Sequence, residues 1–164
     1  MVYRVLNTNK SQTKISLLAD HKSYAPIVAG WYFSEWPSDD PETTIESITE
    51  KILSGANRSK IPLLFLSHTG DEVVGAGEIK HRQLQAYPDY NYWLDGIYVK
   101  PSYRGKGIST QLIEFAKRKA VELGIFSLYL RCNEHNVKLY EARGFNVLKP
   151  EGEKLIMGLE FNKL

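Results

Sequence analysis

The chain has 164 residues, of which 43% are hydrophobic and 24% are charged, values ordinary for one globular domain spanning residues 1–164. Its net charge of +2 is too small to indicate non-specific binding to nucleic acid. The single cysteine excludes an intrachain disulfide, no apolar run reaches the roughly 18 residues of a transmembrane helix, and the N-terminus lacks the apolar core of a signal peptide. We therefore expect a cytoplasmic protein that binds neither nucleic acid nor membrane.

The N-terminal part of the chain predicts two short strands followed by two helices. Residues 3–6 and 14–18 are β-type runs. Apolar side chains then recur at helical spacing, and Asp20 is a suitable N-cap for that first helix. The stretch DDPETTIESITEKILSG predicts the second helix, with Asp40 as its N-cap and Gly55 at its end.

The remainder of the chain alternates between strands and helices. IPLLFLS and VVGAGEIKHR are predicted strands joined by the turn HTGDE, so we expect a hairpin. A loop, QLQAYPDYN, leads to a third strand, YWLDGIYV. A long helix over 109–123, the strand FSLYLRC, the short helix NVKLYEAR and the strands FNVLK and KLIMGLEF follow. This order predicts one α/β domain with a mixed sheet.

A basic, glycine-containing turn separates the third strand from the long helix: Arg104, Gly105, Lys106, Gly107, Ile108 and Ser109. The spacing fits neither a Walker A loop nor the Rossmann G-x-G-x-x-G fingerprint. A helix N-terminus behind two glycines and two cations nevertheless suits a pyrophosphate, because backbone N–H groups and positive charge attract anions. The alternative is an ordinary basic turn capped by Ser109.

Two motifs together carry a family resemblance. VKPSYRGKGISTQLI and NEHNVKLYEARGF resemble the paired motifs of the GNAT superfamily, the acetyl-CoA-dependent N-acetyltransferases. The resemblance covers about residues 14–160 and departs from the family at Ser109, where Gly or Ala is usual. It implies the GNAT-type acyl-CoA N-acyltransferase fold, a central mixed, mostly antiparallel sheet flanked by about four helices.

The resemblance also implies roles for individual residues. The turn of residues 104–109 corresponds to the family's pyrophosphate loop. Ile97, Tyr98 and Val99 lie on the preceding strand, whose backbone pairs with the pantetheine arm of acetyl-CoA in the family. Asn133 matches an asparagine that contacts CoA, and Tyr140 matches a tyrosine proposed to protonate the departing thiolate. Their alternatives are a helix N-cap for Asn133 and a core aromatic for Tyr140.

Acetyl transfer to an amine also benefits from a base. Asp95 is one candidate, because strand alternation predicts that it shares a face with Ile97 and Val99 and because the family often carries an acidic residue there. Glu78, on the neighbouring strand, is the second candidate. Either carboxylate could instead hold the ammonium group of the acceptor or be merely solvated. Direct attack in a ternary complex needs no covalent intermediate, so we expect Cys132 to be structural.

The acceptor side is predicted from aromatic and acidic residues between the first two helices. Trp31, Glu35 and Trp36 are candidates for a pocket that takes a cationic amine, either a small molecule or a protein N-terminus. The alternative for Trp31 is a place in the core. The four histidines lack metal-ligand spacing, so we expect no metal. A homodimer is left open, and an acyl-CoA-binding module with little turnover is the alternative function.

Overall fold

The computed structural model describes residues 13–162, which form seven strands and four helices. The predicted β-type run at residues 3–6 lies outside the described residues. The elements in chain order are β1 (Lys14–Leu17), α1 (Ala25–Glu35), α2 (Ile45–Ser54), β2 (Leu63–Thr69), β3 (Glu72–His81), β4 (Tyr92–Val99), α3 (Ile108–Glu122), β5 (Ser127–Cys132), α4 (Val137–Glu141), β6 (Asn146–Glu151) and β7 (Lys154–Glu160).

The seven strands form one sheet in the order β1-β2-β3-β4-β5-β7-β6. Every neighbouring pair is antiparallel except β4 and β5, which run parallel. The expected mixed, mostly antiparallel sheet with four helices is therefore confirmed, as is the β2–β3 hairpin. Within residues 13–162, no helix combines the length and the apolar character that a bilayer crossing requires.

Each face of the sheet carries its own apolar core. On the first, which we call the α3 face, Leu112 and Ile113 of α3 pack with Phe65 of β2. On the second, the α1 face, Val28 of α1 packs with Leu64 and other side chains of α1, α2 and the strands. Because both faces are covered, β2 is buried on both sides. This explains why β2 reads as a continuous apolar run instead of alternating.

The first helix starts later than predicted. Residues 18–20 and 22–24 form two short 3₁₀ turns, and α1 begins at Ala25, so the prediction of Asp20 as its N-cap is wrong. Pro26 occupies the first turn of α1. Proline has no N–H group and is tolerated in the first turn of a helix but not in its interior. A continuous helix from Asp20 is therefore disfavoured.

The second helix also starts late. Thr44, not Asp40, is the N-cap of α2, because its side chain accepts a hydrogen bond from the backbone N–H of Ser47 at 3.0 Å. The Ser47 hydroxyl in turn accepts from the Thr44 N–H at 2.8 Å, which completes a capping box. Asp40 instead accepts from the N–H of Glu42 within the preceding turn. Gly55 lies at the end of the helix as predicted.

Candidate active site

The central feature of the site is an opening in the sheet between β4 and β5. β4 pairs with β3 along its length, but its parallel ladder with β5 contains one register pair, Trp93 with Tyr129. In the part of the chain that the structure describes, no strand pairs with the β5-facing edge of β4 beyond Trp93. The opening leaves room for a bound chain to run beside that edge.

A β-bulge at Gly96 shapes this part of β4. Asp95 lies opposite Glu78 and Tyr98 lies opposite Ala76, so β4 carries one extra residue between these pairs. Gly96 has φ +60°, and the buried Tyr32 hydroxyl donates a hydrogen bond to its carbonyl oxygen at 2.8 Å. A Cβ atom at position 96 would lie 2.4 Å from the Tyr32 hydroxyl oxygen. The bulge therefore requires glycine.

The bulge overturns one prediction made from strand alternation. Leu94, Ile97 and Val99 all pack into the core of the α3 face, although an unbroken strand would place Leu94 opposite the other two. Asp95 therefore faces the α1 side together with Glu78. The prediction that Asp95 shares a face with Ile97 and Val99 is wrong, because one inserted residue reverses the alternation.

A cleft of about 1050 Å³ passes through the opening. It brings together seven of the sixteen predicted site residues, which come from the end of α1, from β3 and β4, and from α4 and the turn before it. The predicted residues lining it are Glu35, Trp36, Glu78, Asp95, Ile97, Asn133 and Tyr140. Cys132 also lines it, but burial raises the pKa of its thiol and its Sγ lies 3.5 Å from Met157 Sδ, consistent with a structural role.

The two candidate bases have different surroundings. Glu78 is buried, and Lys80 Nζ lies 2.7 Å from its Oε1 atom. Burial raises the pKa of the Glu78 carboxyl, and the charge of Lys80 offsets this in part. Asp95 is more exposed and is ion-paired with Arg82, while Lys80 lies 3.6 Å from the same oxygen. Glu78 therefore holds its proton to higher pH than an ordinary glutamate.

Tyr140 lies on the other side of the opening, on α4. Its ring is buried and packs edge-on against Phe145, with 5.9 Å between ring centroids. Burial raises the pKa of the phenol well above its usual range, and the nearby Cys132 and Asp95 act in the same direction. The hydroxyl therefore remains protonated at physiological pH and is available as a donor.

The basic turn lies outside the residues that line the cleft. Gly105 has φ +76° and Gly107 has φ +82°, conformations that other residues rarely adopt, and a Cβ atom at either position would meet nothing within 4 Å. Gly107 is the N-cap of α3, and no side chain caps this helix, so the alternative of a Ser109 cap is wrong. The N-cap therefore supplies no side-chain partner to the first N–H groups of α3.

The acceptor candidates separate into two places. Glu35 and Trp36 line the cleft together with Tyr32. Trp31 does not line it: its ring stacks on Tyr98 at 5.0 Å and packs against the core of the α1 face. The side chain of Tyr98 is therefore also turned away from the opening, so only the backbone of Tyr98 is left to contact a molecule bound there.

Sequence reasoning missed the bulge and most of the charged lining. Gly96 inside a strand pattern is itself a signal for a bulge. Lys80 and Arg82 follow Glu78 at intervals of two residues, so period-two alternation already places the three on one face. Lys51 and Lys154 also line the cleft, but they come from α2 and β7, and no local pattern joins them to it.

Comparison with known proteins agrees with this geometry. The model of the acetyltransferase (GNAT) family matches residues 25–145. The chain belongs to this family. YwnH of Bacillus subtilis (strain 168), named as a candidate phosphinothricin acetyltransferase, is 30% identical over 135 residues, covering 78% of this chain and 81% of YwnH. The thialysine N-epsilon-acetyltransferase of Bos taurus is 32% identical over 98 residues, covering 52% of this chain and 57% of that enzyme. This GNAT chain thus matches little more than half of the bovine relative.

Solved structures share the fold of this GNAT chain. The PaiA N-acetyltransferase of Thermoplasma acidophilum, solved in complex with coenzyme A, has a TM-score of 0.65 at 24% identity and covers 92% of this chain and 99% of its own. YncA of Salmonella typhimurium, solved with its cofactor acetyl-CoA, has a TM-score of 0.73 at 14% identity, with 94% and 96% covered. At these identities the similarity concerns the fold.

Proposed function

We propose that this GNAT-family chain transfers the acetyl group of acetyl-CoA to a primary amine by direct attack in a ternary complex. The observation that carries the proposal is the opening between β4 and β5, where an unpaired strand edge, a buried carboxylate and a protonated phenol line one cleft. Direct attack requires the amine nitrogen to lose a proton and bond to the thioester carbon while the carbon–sulfur bond breaks. The sulfur leaves as a thiolate that accepts a hydrogen bond or a proton.

The residues present fit acetyl-CoA as the acetyl donor. The first N–H groups of α3 and the turn of residues 104–109 would hold the pyrophosphate, since Gly105 and Gly107 keep the backbone open to it. The free edge of β4 after the Gly96 bulge would pair with the pantetheine arm, and Asn133 lines the cleft beside it. These residues would orient the thioester, and the reaction requires no covalent intermediate with the enzyme.

Glu78 is the better candidate for the base. A base works best with a pKa near the working pH, and burial moves the pKa of Glu78 in that direction. Asp95 is ion-paired with Arg82 and lies within 3.6 Å of Lys80, so two cations already occupy its carboxylate. Asp95 would instead hold Lys80 and Arg82 in place around Glu78.

Tyr140 acts on the leaving group in this proposal. Its raised pKa means that the proton stays on the phenol in the resting protein. A free thiol has a pKa of about 8.5, so complete transfer of the proton from Tyr140 to the thiolate would be uphill. Donating a hydrogen bond to the departing sulfur costs less and still stabilises the developing charge.

The acceptor is proposed to be a small amine, because the cleft volume is typical of small-molecule sites. Phosphinothricin and thialysine, which appear in the names of two relatives, are the first acceptors to test. A protein N-terminus is the second class, and an acyl-CoA-binding module without turnover is the second function. The open loop around Gly105 and Gly107 would serve either function, so only the chemistry of the cleft distinguishes an acetyltransferase from a binding module.

A thiol-release assay tests the proposal. The protein is mixed with acetyl-CoA and a panel of amines, and free thiol is followed with time while both substrates are varied. We expect release that depends on the amine, with intersecting initial-rate lines, as a ternary complex requires. Tight binding of acetyl-CoA without release for any amine would instead establish a binding module, and parallel lines would indicate a covalent intermediate.

A further inference from the structure

The charges that line the cleft are unequal. Five cationic side chains line it, and three carboxylates do: Lys51, Lys80, Arg82, Arg131 and Lys154 against Glu35, Glu78 and Asp95. The cleft lining therefore carries a local excess of two positive charges. This differs from the acidic pocket for a cationic amine that the sequence predicts.

Most of the charged side chains that line the cleft form ion pairs. Glu78 is ion-paired with Lys80, and Asp95 with Arg82 and Lys80, so neither carboxylate is an uncompensated negative charge. Arg131 is neutralised by Glu151, with 2.8 Å between Nε and Oε1. Among residues 13–162, this leaves Glu35 at the end of α1 and the cations on α2 and β7 without an ion pair.

Lys51 and Lys154 are the two cations of the cleft with no ion pair among residues 13–162. They come from α2 and from the first residue of β7, so two separate elements present positive charge to one cleft. The turn expected to hold the CoA phosphates is not part of the cleft lining. The two lysines are therefore available to a different anionic group.

We infer that the acceptor carries a carboxylate or a similar anionic group in addition to its amine, and that Lys51 and Lys154 attract that group. This rests on the proposed function, since it concerns the acceptor of the same reaction. The amine then meets the base on β3 while the anionic group lies toward α2 and β7. Opposite charges at the two ends of the acceptor set its orientation, because each end is favoured at one part of the cleft only.

Matched pairs of acceptors test the inference. Each pair differs by one carboxylate, as lysine differs from cadaverine and phenylalanine from 2-phenylethylamine. We expect kcat/KM, measured by thiol release, to be at least about tenfold higher for the carboxylate-bearing member, since each exposed charge pair contributes a few-fold and two act together. A ratio near one in both pairs would overturn the inference.

Variants assign the effect to the two lysines. In Lys51→Gln/Lys154→Gln the ratio is expected to fall by about tenfold, chiefly through the KM of the carboxylate-bearing member. Lys22→Gln is the matched control, an exposed lysine outside the cleft, and should leave the ratio as it is. An unchanged ratio in the double variant, with its melting temperature at the wild-type value, would refute the assignment.

The two levels of failure are separable. Turnover of both members of each pair at equal efficiency would remove the anionic-acceptor inference and leave acetyl transfer intact. Absence of thiol release with every member, while calorimetry shows acetyl-CoA bound, would remove the proposed function and the inference with it. Weaker acetyl-CoA binding in the double variant would show that the lysines serve the donor, and would also overturn the inference.

Discussion

Glu78 places a carboxyl group in the buried part of a cleft, beside Lys80 and in register with Asp95. Burial disfavours its charged form, and the raised pKa that follows is what a base for an ammonium group requires. We expect Glu78→Gln to lower kcat by about 10²–10⁴-fold, the usual contribution of acid–base catalysis. Asp95→Asn is the matched comparison and should lower kcat by less than about tenfold, because Asp95 acts only through its ion pairs with Lys80 and Arg82. A larger loss of kcat in Asp95→Asn than in Glu78→Gln would assign the base to Asp95 on β4.

The pH–rate profile gives an independent reading of Glu78. Its carboxyl loses its proton at a higher pH than an ordinary glutamate does, so kcat/KM should fall as the pH is lowered through that raised pKa. The acidic limb should lie above the usual glutamate value of about 4.3 and should be absent from Glu78→Gln. A wild-type profile that is flat down to the usual glutamate value of about 4.3 would argue against Glu78.

The same pKa shift has a consequence for stability. Because the folded-state pKa of Glu78 is raised, its contribution to stability is fully present below the unfolded pKa and is lost as the pH rises through the folded pKa. Glu78→Gln should therefore melt at a higher temperature, relative to wild type, at about pH 7.5 than at about pH 4. A difference between the two proteins that does not change with pH would mean that Lys80 fully compensates the buried charge.

Tyr140 can be tested without removing its ring. Tyr140→Phe keeps the edge-on packing against Phe145 but removes the donor, so kcat should fall by at least about tenfold while acetyl-CoA affinity changes little. Tyr129→Phe, on the neighbouring strand and outside the cleft lining, is the control for loss of a phenol. If Tyr140→Phe turns over at the wild-type rate, Tyr140 is a core aromatic.

At the scale of elements, the start of α3 carries the strongest prediction. Gly107 and Gly124 lie at the two ends of this helix with φ +82° and +73°, and a Cβ atom at either would meet open space. Alanine at each position should therefore cost a similar 1–2 kcal/mol, about the penalty of a left-handed conformation. Gly107→Ala alone should weaken CoA binding measured by calorimetry, by more than about tenfold.

Because the backbone strain at Gly107 and Gly124 is similar, comparing the two alanine variants separates loss of the anion site from general destabilisation. A loss of CoA affinity in Gly107→Ala that Gly124→Ala does not show would assign the effect to the anion site. If both variants bind CoA as wild type does, the turn of residues 104–109 is a structural basic turn and the phosphates lie elsewhere.

The sequence predicts the order of all the described elements and the full extent of β4, because periodicity and turn residues are local signals. It misplaces the starts of α1 and α2, where 3₁₀ turns and the competing cap at Thr44 intervene. It also misses the consequence of Gly96, although that glycine is visible in the strand. Whether a glycine produces a bulge depends on a partner such as Tyr32, which lies 64 positions away in the chain.

At the scale of the whole molecule, the site depends on where two parallel strands stop pairing. Motifs in the sequence predict roles for Gly107 and Tyr140 by resemblance, whereas the packing of α3 and α4 on one face and of α1 and α2 on the other joins elements that are distant in the chain. The charge balance of the cleft is likewise a property of distant elements. Composition reports a net charge of +2 without saying that five cationic side chains and three carboxylates meet in one cleft.

The measurement that tests the central claim most directly is a mass balance with acetyl-CoA labelled in its acetyl group. With the wild-type protein and an accepted amine, the label should appear on the amine nitrogen, in an amount equal to the CoA released, and none should remain on the protein. Acetyl-CoA that binds to the protein while no amine becomes labelled would contradict acetyl transfer. Label retained on Cys132 during turnover would contradict direct attack.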